Sequence, residues 1–170
     1  MNLALLLVRL VFGLGIAAHG AQKLFGWFGG HGLAGAGGMM ESLGFRPGRT
    51  FALAAGLGEG VGGVLTALGL LGPLGPALMI VVMLTAMLVV HRPNGFFSMN
   101  NGIELPLLYA TGAFGFALVG PGLFSLDGAF GWLGLTNPVS GWIAVVLAVI
   151  VAVVNVATCH APHAAQPHAA

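Results

Sequence analysis

Apolar runs about as long as a bilayer is thick recur along this chain, and nothing else in the sequence constrains its fold as strongly. Five approach the ~20 residues that a spanning helix needs. They cover residues 3–25, 51–72, 74–91, 103–120 and 139–158. Glycine and proline break the chain between them. Gly72-Pro73-Leu74-Gly75-Pro76 makes a tight hairpin, Arg92-Pro93-Asn94-Gly95 a turn, and Gly120-Pro121-Gly122 closes the fourth run. Charge is scarce to match: 5% of residues are Asp, Glu, Lys or Arg, against about 25% in a soluble domain. The predicted fold class is an all-α integral membrane protein. It is an antiparallel bundle of four core transmembrane helices plus a fifth C-terminal apolar helix, in one domain over residues 1–159.

The first run does not read as a cleaved leader, because no Lys or Arg precedes it and Arg9 lies inside it. Residues 26–50 are rich in Gly and Ala and read as an interfacial or partly re-entrant segment anchored by Trp27 and Phe28. Residues 160–170, made of Ala, Pro and His with one Gln, read as a disordered tail whose histidines need bind nothing. The single cysteine, Cys159, forbids an internal disulfide. A net charge of +1 without a basic stripe excludes nucleic acid and leaves the lipid bilayer as the evident partner. Small residues recur at four-residue spacing in Gly13-xxx-Ala17-xxx-Ala21, Gly56-xxx-Gly60 and Gly58-xxx-Gly62. Such spacing lets helices approach closely in lipid, and the expectation is that these residues line one face.

Polar groups inside apolar runs are costly, by ~2.5–3.5 kcal/mol for a charge on insertion scales, so they face the bundle interior and mark sites. His19, Gln22 and Lys23 share one helix face at i, i+3 and i+4. Successive spans run antiparallel, and a helix rises 1.5 Å per residue. Counting inward from the membrane face that bears residues 26–50, here the B face, puts His19, Lys23, Glu59, His91, Arg92 and Glu104 in the same half of the bundle. Glu59, flanked by Gly58 and Gly60, is the strongest single signal. Arg9 belongs to the other half, the A face, where it either snorkels to the surface or pairs with Asp127. The candidate catalytic residues are Glu59, Lys23, His19 and Glu104. The candidate cofactor-binding residues are His19, Gln22, Lys23 and His91. No zinc motif, phosphate loop or nucleophile elbow is present, so no metal site is assigned.

In order along the chain stand Arg9-Leu10, His19-Gly20-Ala21-Gln22-Lys23-Leu24, Glu59-Gly60-Val61-Gly62-Gly63, Leu68-Gly69-Leu70, Gly102-Ile103-Glu104, Gly120-Pro121-Gly122 and Ser125-Leu126-Asp127. The pattern these motifs make resembles the DoxX family of small bacterial membrane proteins. Together the motifs cover about residues 3–128. The family is usually drawn with four spans, so the run at 139–158 departs from its minimal pattern. The resemblance implies a multi-pass protein of the bacterial inner membrane, linked to redox or quinone-dependent sulfur metabolism, or to oxidative-stress complexes. It supplies no catalytic mechanism.

The leading expectation is a subunit of a redox-linked membrane complex that holds a quinone-like or other small molecule in a polar B-side pocket. Lys23 and His19 would donate hydrogen bonds, and Glu59 or Glu104 would relay protons. Candidate protein partners are redox subunits and a second copy of the chain. The alternative from another class is a non-catalytic anchor or assembly protein whose polar pairs only hold the bundle. A b-type haem on His19 and His91 ranks lower, since lone helix histidines ordinarily just hydrogen-bond. A small transporter also ranks lower, because no paired broken helices are visible.

Overall fold

A computed structural model describes residues 2–159, so the expectation for residues 160–170 lies outside the described residues. Seven α-helices follow one another among the described residues: α1 (Asn2–Phe25), α2 (Gly32–Ser42), α3 (Gly48–Leu68), α4 (Leu74–Ala86), α5 (Glu104–Val119), α6 (Leu126–Ala129) and α7 (Pro138–Cys159). No strand occurs among the described residues. Four helical segments are long and apolar enough to cross a membrane: Asn2–Phe25, Gly48–Leu68, Leu74–Asn94 and Pro138–Thr158. The fourth apolar run forms the shorter α5, of 16 residues, which rises about 24 Å. The chain is an all-α multi-pass membrane protein.

Helix ends depart from the apolar runs for local reasons. The second run was expected to end at Gly72. Helix α3 stops instead at Leu68, because Gly69 takes a left-handed conformation at φ 63°. It also begins earlier than expected, at Gly48, where the Glu41 carboxylate accepts the Gly48 N–H at 3.2 Å. That bond satisfies one of the donors a helix start leaves open. Helix α4 loosens into a π-turn over Met87–His91 before the turn at Arg92–Asn94. Residues 26–50 contain a real helix, α2, which packs on α3 and α1.

Helix α3 lies between α1 and α4, and its glycines serve both sides rather than one. Gly56 and Gly60 meet the backbone of Gly20 on α1, and Gly63 meets Gly13 and Ala17. Gly58 and Gly62 face Val82 and Leu78 on α4. The single small-residue face expected from sequence is therefore two faces. Only a residue without a side chain permits this approach on both flanks. Beyond α4, a core of Ile16, Met79, Ile80, Met83, Ala110, Ala113 and Val145 joins α1, α4, α5 and α7. The outer surface of α7 is a continuous row of exposed Val, Leu and Ile, as lipid contact requires.

On the A face the connections are sewn together by two buried charges. Arg9, 2% exposed, donates from Nε to the Ala67 carbonyl at 3.2 Å and from Nη2 to the Phe124 carbonyl at 2.8 Å. Its Nη1 donates to the Pro121 carbonyl. Asp127, fully buried, accepts the N–H groups of Leu71 and Gly72 at 2.9 and 2.7 Å. Arg9 therefore neither snorkels nor hydrogen-bonds Asp127. It spends its fork on three carbonyls, a use that the five donors of guanidinium allow.

Candidate functional site

On the B side, α1 to α5 enclose a cavity of about 300 Å³. Apolar side chains such as Ile16, Met83, Val89 and Pro106 make most of its wall. The polar groups in it are few: His19, Lys23, Glu59, Thr85, His91, Asn101 and Tyr109. A mostly apolar cavity with a small number of placed polar groups is the usual form of a small-molecule site.

Lys23 and Glu59 are its centre. The Lys23 ammonium donates to both Glu59 oxygens, at 2.7 and 2.5 Å. They belong to α1 and α3, whose glycines bring the two backbones close enough for the short reach. Glu59 is 4% exposed in its side chain and Lys23 27%, so the cation is the member that the cavity can address. A buried carboxylate must be compensated where it lies, and Lys23 supplies that compensation.

His19 stands one helical turn from Lys23. Its Nδ1 meets the Gln22 Oε1 at 3.0 Å, and Gln22 in turn donates from Nε2 to the Phe28 carbonyl at 3.1 Å. The His19 ring packs edge-on against Tyr109 at 6.3 Å between centroids. Tyr109 also packs against Phe12 at 5.6 Å. His91 lies at the end of the π-turn, with Nδ1 2.8 Å from the Asn101 carbonyl. The Thr85 hydroxyl is buried without a hydrogen-bond partner.

Of the residues singled out from sequence, His19, Lys23, Glu59 and His91 line one cavity. Gln22 does not line it but holds His19. Glu104 stands apart: its carboxylate accepts the Ser98 N–H at 2.8 Å and ties the loop before α5, and it is absent from the cavity wall. Arg92 also lies outside the wall. Sequence reasoning missed Thr85, Asn101 and Tyr109. Tyr109 is the only tyrosine in the chain and carries a polar tip into an apolar run, which was the available signal.

A family model described as DoxX matches residues 4–92. The chain belongs to the DoxX family. The DoxX match spans α1 to the end of the π-turn, so it includes His19, Lys23, Glu59, Thr85 and His91. Tyr109 and Glu104 lie beyond the matched DoxX segment. No curated protein and no solved structure matches the chain.

Proposed function

We propose that this DoxX-family protein is a subunit of a redox-linked complex of the bacterial inner membrane, and that the B-side cavity holds a quinone-like ring. The observation that carries the reading is a mostly apolar cavity with a half-open Lys23, paired to a buried Glu59, in its wall. Lys23 has a third N–H to offer a ligand oxygen while it keeps Glu59 compensated. Glu59 is the group through which a proton would leave toward the B face. A volume of about 300 Å³ lies at the small end of ligand sites, which suits one ring better than a four-ring haem.

The alternative, a non-catalytic anchor, draws on the A face. There Arg9 and Asp127 are satisfied by backbone alone and form no cavity wall with the B-side groups. That arrangement is structural, and by itself it fits an assembly protein. The test is an ultraviolet difference spectrum of protein purified in mild detergent, recorded before and after borohydride. A quinone signal above a lipid-matched control, lost in Lys23→Met, is expected. Protein that carries no such signal, and binds no short-tailed quinone when offered one, overturns the cavity reading and leaves the anchor.

A further inference from the structure

The two cavity histidines have their protons placed by their neighbours. Gln22 donates from Nε2 to the Phe28 carbonyl, so its oxygen is the atom turned to His19. An amide oxygen only accepts, and therefore His19 Nδ1 carries the proton. The Asn101 carbonyl likewise only accepts, and fixes the proton of His91 on Nδ1. In each neutral imidazole the other nitrogen, Nε2, is then a lone-pair acceptor. Among the described residues no group hydrogen-bonds either Nε2. Both rings form part of the wall of the same cavity.

The wall holds donors as well: the third Lys23 N–H, the Asn101 side-chain amide and the hydroxyls of Thr85 and Tyr109. The two imidazole nitrogens can only accept.

We infer that the cavity selects a ligand carrying hydrogen-bond donors, with His19 Nε2 and His91 Nε2 as the acceptors. For the ring ligand proposed above, on which this inference rests, that means the reduced diol form over the oxidised dione. A dione can accept from those donors but offers no hydrogen to either imidazole lone pair, whereas a diol hydroxyl both accepts and donates. Gln22 is a positioning residue: it never touches the ligand and acts by holding the His19 tautomer. The helical spacing of His19 and Gln22, and the Phe28 carbonyl after the glycine break at Gly26, are what build this relay.

The experiment is anaerobic titration calorimetry on the detergent-solubilised full chain. The probes are a short-tailed benzoquinone and its hydroquinone, and the readout is the ratio of their affinities. The hydroquinone is expected to bind about tenfold tighter or more, as one or two net hydrogen bonds imply. His19→Phe and His91→Phe should each lower the ratio toward one. Gln22→Leu should lower it partly while leaving the ring in place. That ratio is a readout which general damage to folding does not move. If a phenylalanine variant fails to accumulate, Gln22→Leu and His91→Gln decide, the latter keeping both an amide donor and an acceptor and hence most of the selectivity. Equal affinity for the two forms, or tighter dione binding, overturns the inference and leaves the cavity reading standing. Failure of both forms to bind removes the two readings together.

Discussion

Lys23 holds both carboxylate oxygens of Glu59 across the α1–α3 seam, and the two residues differ sharply in access: the acid is 4% exposed and the base 27%. Removing one member is therefore not equivalent to removing both. Lys23→Met leaves a buried carboxylate uncompensated and should cost about 3–5 kcal/mol. Lys23→Met combined with Glu59→Leu should recover most of that loss, since a buried pair and a well-packed apolar substitute are often close in stability. Thermal unfolding in detergent measures both. A double variant no more stable than Lys23→Met would show that the pair is not what burial of Glu59 depends on.

A second expectation concerns the seam itself. A methyl group on Gly13 would lie 2.6 Å from the Gly63 carbonyl oxygen and from the Ala67 nitrogen. Gly115, on α5, has nothing within 4 Å of the same position. Gly13→Ala should destabilise by about 1–3 kcal/mol through overpacking against backbone, which cannot yield as a side chain can. Gly115→Ala should be neutral or mildly stabilising, because alanine favours a helix interior by ~1 kcal/mol over glycine. Equal unfolding temperatures for the two variants would refute the close approach of α1 and α3.

Thr85 offers a test in the opposite direction. Its buried hydroxyl has no partner in the protein, and an unpaired buried hydroxyl costs roughly 1–3 kcal/mol. Thr85→Val, nearly the same shape, should raise the stability of the ligand-free protein and weaken ligand binding. A variant that unfolds earlier than the parent would mean that the hydroxyl is satisfied.

Asp127→Ala should release the N–H groups of Leu71 and Gly72 in the turn after α3. Each buried donor left without a partner costs about 1–3 kcal/mol. Asp127→Asn should keep one of the two bonds and lose about half as much. The order parent, Asn, Ala in unfolding temperature checks it, and an alanine variant as stable as the parent would count against the A-face anchor.

Orientation follows from charge. Lys23, Arg46, Arg49 and Arg92 lie on or near the B face, whereas the A face has Arg9 buried within a span. Lys and Arg near span ends are retained in the cytoplasm. The B face, its cavity and the end of α7 should therefore be cytoplasmic. A C-terminal fluorescent-protein fusion should glow and an alkaline phosphatase fusion there should be silent. The reverse pair of results would invert the topology.

The helical, membrane-crossing character of the chain was legible because hydropathy and charge scarcity act over whole runs. Depth along antiparallel helices also put Lys23 and Glu59 at one level, since rise per residue is fixed. It could not give rotation about the helix axis. Glu104 sits at the right depth yet turns to Ser98, and the α3 glycines divide between two neighbours. Arg9 shows a different limit. Its partners are backbone carbonyls at Ala67, Pro121 and Phe124, and carbonyls carry no sequence signature. Helix α2 was hidden by its glycines, which lower helix propensity. Its packing on α3 and the bond that the Gly48 N–H donates to Glu41 compensate for that.

The shortness of α5 bears on the lipid as much as on the protein. A rod of about 24 Å falls some 6 Å short of a ~30 Å hydrocarbon layer. The loop that precedes it hydrogen-bonds back on itself, from the amides of Gly102, Ile103 and Glu104 to the carbonyls of Phe97, Gly95 and Phe96. A loop with its polar backbone so occupied can sit below the headgroups, beside the exposed Phe96 and Phe97 rings. Local thinning of the bilayer is one way such a short span is accommodated, and it would fall on this flank rather than on that of the 24-residue α1. That flank is also the side of the cavity that Leu105 and Pro106 help to wall, so the lipid that meets the short helix lies beside the site.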